Sequence, residues 1–378
     1  RSHHPDHSWH HYSKKMTTLK RNMMLWALCL VSLAATAQSV PSWLETTHDF
    51  GKFRDELKSV STTMRVVNRG DSALVITRVQ SNCGCTVAEY TRQAIAPGDT
   101  GSVQVTYSTR DIPGPFEKKV YVYTNGKPRK STLTVKGSVI GSAETVAERY
   151  PFGFGPIRLN SASMPLGEVF RGNSRNAYIS GYNTSSDTML VHAAINSKYI
   201  SCNVLPDTIE PGGIFIVSVH CSSAGAPQWG FNADTVKMTA HSLHDAEQYE
   251  GKFNVMLQVK ENFSRMTEKQ RRNAPVIEVS TDKVDFETCA PNEPVTRTFT
   301  ITNRGKDVLR LRRLFVPEGE GITATSDRDE LKKGQSATVS VTLDTSARAN
   351  SVVNTLLTII ANDPYTPQTQ LRLVGIVK

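Results

Sequence analysis

The sequence has none of the short signatures that mark common enzymes. It contains no Gly-x-Ser-x-Gly elbow, phosphate loop, His-Glu-x-x-His helix or dinucleotide fingerprint. Aromatic residues are sparse, with four Trp in 378 residues. A carbohydrate-binding module needs a row of exposed rings on one sheet, and only Tyr121 and Tyr123, alternating with Val120 and Val122, are candidates. They read as outward-facing strand residues. Clustered positive charge is also missing. The net charge is +9, but the five cations of residues 1–37 against Asp6 account for +4, leaving +5 spread thinly over the remainder. A nucleic-acid binder gathers its charge on one face or run, so that class is set aside. Beyond residue 35 no apolar run is long enough to span a bilayer.

What is present begins with a leader. From Met16 the order is a basic region (Lys20, Arg21), an apolar run from Met23 to Ala35, and Ala35-Thr36-Ala37 ahead of Gln38. A run this short with small residues at the −3 and −1 positions fits a cleaved signal peptide rather than a membrane anchor. Trp26-Ala27-Leu28 is too bulky before Cys29 for a lipoprotein cleavage site. Residues 1–15 lie upstream of that leader and are excluded from fold reasoning. The expectation is an exported protein, soluble after cleavage, of the periplasm or surface of a Gram-negative-type bacterium. Disulfides are admissible there.

Behind the leader one plan recurs at a period of about 115–120 residues, suited to whole sandwiches rather than solenoid units. Each copy opens on a hydrophobic strand end: Phe50-Gly51, Leu166-Gly167 and Phe286. Each then ends a strand at an Asn: Asn68, Asn183 and Asn303. Asn and Gly tolerate positive φ, so these positions read as tight hairpins. The returning strands align as Leu74-Val75-Ile76, Leu190-Val191-His192 and Leu309-Arg310-Leu311. A second turn follows at Pro97-Gly98, Pro211-Gly212 and Lys333-Gly334, and the strand after it alternates strictly. Val103, Val105 and Tyr107 share one face in the first copy, and Val339, Val341 and Leu343 in the third. Period two is what a sheet with one wet face requires.

Short strands with turn signals every 8–12 residues point to an all-β chain of three tandem immunoglobulin-like β-sandwiches. The expected boundaries are 38–140, 141–262 and 276–378, with 263–275 a polar linker holding one helical turn. Tyr150–Pro156 reads as a stiffer connector between copies one and two. No long amphipathic helix is expected.

The chemistry concentrates in Asn82-Cys83-Gly84-Cys85-Thr86-Val87. Three readings of Cys83 and Cys85 stand. They are small side chains shaping a bulge at Gly84. They form a strained, exchangeable Cys-x-Cys disulfide. Or they capture a soft metal, Cu(I) or zinc, although two ligands are too few for a closed zinc site. Met64 could approach across the sheet. Cys202 and Cys221 lie about equally far either side of Pro211-Gly212, and a structural disulfide between them is expected if the flanking strands pair. Cys289 is left unpaired.

Other motifs are weaker. His241-Ser242-Leu243-His244-Asp245 offers imidazoles on a turn, Arg69-Gly70-Asp71 reads as a hairpin turn rather than an adhesion tripeptide, and Asn183 and Asn262 begin glycosylation-type triplets.

Asn82-Cys83-Gly84-Cys85-Thr86-Val87, Pro97-Gly98, Gly101 to Tyr107 and Gly114-Pro115-Phe116-Glu117-Lys118 together resemble the exported bacterial family called domain of unknown function 1573. The resemblance is best over residues 43–139. It implies an immunoglobulin-like fold similar to that of ciliary Hydin, and export. Copies two and three keep the framework without Cys-Gly-Cys. The leading expectation is a non-catalytic, multidomain binding or scaffold protein whose partner is another envelope protein or polymer, with no cofactor. The alternative is a thiol-redox or copper-binding protein that uses Cys83 and Cys85.

Overall fold

A computed structural model of the chain describes residues 37–84, 86–109, 112–346 and 348–378. The expected leader, up to residue 36, lies outside them. Among the described residues no helix is long and apolar enough to cross a membrane.

Strands dominate because Val, Thr and Ile alternate with polar residues over most of the chain. Two compact units form, divided after Thr145. The first holds β1 (Pro41–Trp43), β2 (Thr47–Arg54), β3 (Ser59–Asn68), β4 (Ile76–Ser81), β5 (Thr86–Tyr90), β6 (Thr100–Ser108), β7 (Gly114–Thr124) and β8 (Lys130–Ile140). They make two four-stranded sheets, β1-β3-β6-β5 and β2-β8-β7-β4. Met64, Val66, Val103 and Val105 from one sheet meet Val120, Val122, Leu133 and Val135 from the other in a single core. Burial of each such aliphatic side chain stabilises the fold by about 1.5–3 kcal/mol.

Helix α1 (Ala143–Arg149) leads into the second unit, where Val146 and Tyr150 are buried beside Tyr182. There the second copy holds β9 (Phe152–Phe154), β10 (Ile157–Leu159), β11 (Ser163–Phe170), β12 (Ser174–Asn183), β13 (Met189–Ala194), β14 (Ile200–Leu205), β15 (Thr208–Ile209), β16 (Ile214–Ser222), β17 (Gly230–Ser242) and β18 (Gln248–Lys260). The segment expected as a stiff connector is therefore in part an edge strand, β9 pairing with β10. Helix α2 (Glu268–Asn273) supplies the helical turn of the linker and opens with a capping box between Thr267 and Gln270. The third copy follows as β19 (Ile277–Val279), β20 (Lys283–Cys289), β21 (Val295–Asn303), β22 (Leu309–Phe315), β23 (Ile322–Ser326), β24 (Glu330–Leu331), β25 (Ser336–Leu343), β26 (Ser351–Ala361) and β27 (Gln368–Val377). Each of these two copies again pairs two sheets over its own core.

Three devices repeat. First, β2 pairs parallel with β8, β11 with β18 and β20 with β27, each with a register shift. Gly51 and Glu287 lie within the shift and Gly167 immediately after it, with φ of 67°, 61° and 69°. Glu287 holds this left-handed conformation without being glycine, and Asp285 accepts its N–H at 2.9 Å, as Asp49 accepts that of Gly51 at 2.8 Å. Second, Asn68, Asn183 and Asn303 are fully buried. Asn68 Nδ2 donates to Ser72 O and Ile95 O, Asn183 Nδ2 to Asp187 O and Ile209 O, and Asn303 Nδ2 to Asp307 O and Leu331 O. The Asn recurs as a polar clasp between two turns, not for positive φ. The Gly after it allows close approach: a Cβ on Gly70 would lie 2.0 Å from Gln38 O, and one on Gly305 2.2 Å from Ala274 O. Third, Leu74 faces Ile95, Met189 faces Ile209 and Leu309 faces Leu331. Met189, not Leu190, thus takes the buried place in copy two.

Within the second unit the third copy is fastened to the second. Arg313 donates to Trp229 O at 3.1 Å and Phe231 O at 2.6 Å. Arg312 donates twice to Glu261, and Arg171 and Arg312 both lie over the Trp229 ring. Ile360 packs against Gly230, where a Cβ would be 2.3 Å away.

Candidate functional site

The Cys83 stretch forms the corner at which the chain leaves one sheet and enters the other. β4 is the end strand of its sheet and β5 of the opposite one. The corner is built by short polar bonds. Ser81 Oγ donates to Cys83 O at 2.8 Å and Thr86 O at 2.9 Å, so one hydroxyl closes the turn. Asn82 N donates to Lys119 O at 3.2 Å, and Lys119 N returns to Asn82 Oδ1 at 3.3 Å, which ties the corner to β7. Cys83 is half-buried, its Sγ 3.4 Å from Thr86 Oγ1. Its neighbour Cys85 lies outside the described residues. The free thiols among the described residues are Cys202, Cys221 and Cys289, so Cys83 is not one of them.

At this end of copy one Tyr107 of β6 is buried and stacks on Phe116 of β7, and Phe50 and Phe53 complete the aromatic cluster. Burial pushes the Tyr107 phenol above its ordinary value. Met64 is fully buried on β3 opposite Val103 and belongs to the core.

The expected Cys202–Cys221 bridge is not formed. Across β14 and β16 Cys202 faces Val219 and Cys221 faces Ile200, which places the two thiols two positions out of register. Such a diagonal offset separates Cα atoms by roughly 7–8 Å, beyond what a disulfide spans. The symmetric spacing about Pro211-Gly212 misleads because Thr208–Ile209 pairs with β13 in the other sheet instead of extending the hairpin. Burial raises the pKa of both thiols, with Asp234 adding to the effect at Cys221. The unpaired Cys289 is buried and donates to Phe286 O at 3.1 Å.

The remaining motifs resolve into structure. Asp187 accepts from Ser242 Oγ and pairs with His244 Nδ1. The carboxylate sits between hydroxyl and imidazole, so this is not the hydroxyl–imidazole–carboxylate order a nucleophile needs. Those bonds hold the Asp187 carboxyl down at about 2, with the Ser242 hydroxyl the largest cause. Asp71 of the Arg69-Gly70-Asp71 turn accepts Gln38 N. Asn183 is buried and committed to its clasp, so it cannot accept a glycan. Tyr121 and Tyr123 do face outward, but Lys130 covers both rings and Arg78 lies over Tyr123. Among the described residues no group of three or more His, Cys, Asp or Glu is placed to hold a metal ion.

Sequence reasoning missed Arg312 and Arg313. The legible signal was the doublet itself, which breaks the period-two pattern of Leu309-Arg310-Leu311.

Comparison with known proteins follows the repeat. The family model described as "Protein of unknown function (DUF1573)" matches residues 41–139 and 277–377, the first and third copies. The third copy matches although it lacks Cys-Gly-Cys. No curated protein matches the chain. Among solved structures, a protein of unknown function from Porphyromonas gingivalis W83 is 17% identical over 59% of this chain and 100% of its own, with a TM-score of 0.45. The human CEP192 ASH/PapD-like domain is 16% identical over 28% of this chain and 87% of its own, with a TM-score of 0.25. The E. coli chaperone DraB is 10% identical over 57% of this chain and 96% of its own, with a TM-score of 0.24. Since the two matched segments take in more than half of its residues, the chain belongs to the DUF1573 family of proteins of unknown function.

Proposed function

We propose that this is an exported, non-catalytic binding or scaffold protein of the cell envelope that takes up an extended segment of a partner along its open sheet edges. One observation carries the reading: among the described residues β5, β14 and β23 are equivalent end strands, each hydrogen-bonded to a single neighbour, β6, β16 and β25. An end strand offers unpaired backbone donors and acceptors, and strand addition uses them. The partner is another envelope protein or polymer. Export rests on the order of basic, apolar and small residues from Met16 to Ala37.

A photo-crosslinking residue at Asn203 on β14, in the full chain within intact cells, tests this. A discrete partner adduct is expected there and none from Lys237, which is exposed on the middle strand β17. Equal yields at the two positions would remove the edge reading.

A second reading has its own support. Cys83 is half-buried at a corner and outside the set of free thiols, which favours a Cys83–Cys85 disulfide open to exchange. Soft-metal capture by the same pair would require it reduced.

A further inference from the structure

The fastening between the second and third copies uses surfaces that have equivalents elsewhere in the chain. On copy two the receiving surface is Trp229, Gly230, Phe231 and Gln258. Register identifies its counterpart in copy three. Gly230 pairs with Val259 and Phe231 with Gln258, while Ser351 pairs with Val377 and Val352 with Ile376. Val352 thus stands in the place of Phe231 and Ile376 in the place of Gln258. Both are apolar, directly opposite one another on an outer sheet face, and 69% and 46% exposed.

The inserting surface also recurs. In copy three Arg313 pairs with Ile360 across β22 and β26, and Ile360 with Gln368. In copy one Arg78 pairs with Tyr123 across β4 and β7, and Tyr123 with Lys130. Arg78 therefore occupies the place of Arg313, Tyr123 that of Ile360 and Lys130 that of Gln368. The register shift just before the arginine is the same in β4 and β22. Arg78 and Lys130 are exposed and lie over the Tyr123 ring, so the surface presents two cations backed by an aromatic ring, with Arg78 placed as Arg313 is to reach backbone carbonyls.

From this equivalence we infer that the protein self-associates head to tail: the Val352–Ile376 face of one molecule receives the Arg78–Tyr123–Lys130 face of a second copy. This goes beyond the edge-strand reading, because it uses sheet faces and not edges. The contact joins two different surfaces, so it is heterologous and leaves a free surface of each kind at the two ends of every assembly. Ser351 in place of Gly230 prevents the close approach that Ile360 makes there.

The test is sedimentation and light scattering of the full chain after leader removal, from low to high micromolar concentration. Wild type is expected to grow in mass with concentration. Val352→Lys and Arg78→Ala should each weaken association at least tenfold with unchanged circular dichroism and melting. An equimolar mixture of the two variants retains one good surface of each kind and should form a dimer and nothing larger. Should Val352→Lys melt early, Ile376→Lys replaces it. A wild type that stays monomeric, variants that associate as wild type does, or a mixture that fails to dimerise would each overturn the proposal.

Discussion

The Tyr107 and Phe116 rings lie face to face across the first sandwich, centroids 3.7 Å apart and planes 9° from parallel. They join β6 of one sheet to β7 of the other at the end where Cys83 turns the chain. Copy three has Leu343 where Tyr107 stands, as the shared pairing with β5 and β23 shows. Tyr107→Leu should therefore fold but lose the ring contact, at a cost of about 0.5–1.5 kcal/mol. Urea unfolding of the full chain measures it; an unchanged midpoint would mean the stack is incidental.

The buried asparagines should be among the least replaceable polar residues. Asn303→Ala strands the buried Leu331 carbonyl and the buried Gly305 N–H and frees the part-buried Asp307 carbonyl, and each buried unsatisfied group costs about 1–3 kcal/mol. Asn303→Asp should be worse at neutral pH, because a carboxylate would face Asp307 O and Leu331 O. Denaturant midpoints for the pair of variants give the order, and Asp milder than Ala would refute the clasp.

Acid should loosen the second copy at a defined place. The folded Asp187 carboxyl sits near 2, below its usual value of 3.8, held by Ser242 first and also by His244. A depressed carboxylate contributes stability above its unfolded pKa, and this is lost as pH falls from about 4 towards 2. Carboxyl-carbon NMR of Asp187 should show the low titration, and Asp187→Asn should flatten that part of the pH dependence of melting. A midpoint near 4 in the native protein would contradict the hydrogen-bonded arrangement.

Thiol chemistry should separate by position. Native protein should leave Cys221 and Cys289 unreactive towards a thiol reagent, and denaturation without reductant should release Cys202, Cys221 and Cys289. Cys83 should label only after reduction. Peptide mass mapping of a Cys202–Cys221 bridge in native material would contradict the observed register.

Much of this architecture was legible because alternation, Asn-Arg-Gly and Pro-Gly turns are local signals repeated three times. What was lost is what depends on register. Aligning Leu190 rather than Met189 with Leu74 is a slip of one residue, and in a strand one residue exchanges the buried face for the wet one. The Cys202–Cys221 spacing is symmetric about the turn in sequence alone, because Thr208–Ile209 crosses to the other sheet. The asparagines stand out in the sequence, but their worth lies in carbonyls some 26–28 residues away. Nothing local marks that. Cys83 stands out in the sequence, yet its place at a corner between sheets follows only from which sheets β4 and β5 join.

The parallel pairing of β2 with β8, repeated in the other two copies, sets how such a chain can be lengthened. An opening strand that runs in the same direction as the closing one brings the polypeptide in at one pole of the sandwich and out at the other. A duplicated segment can then be appended without a return path over the molecule, and a whole sandwich can be removed without leaving its neighbours to be rethreaded. Growth by simple tandem copying is therefore open to this topology.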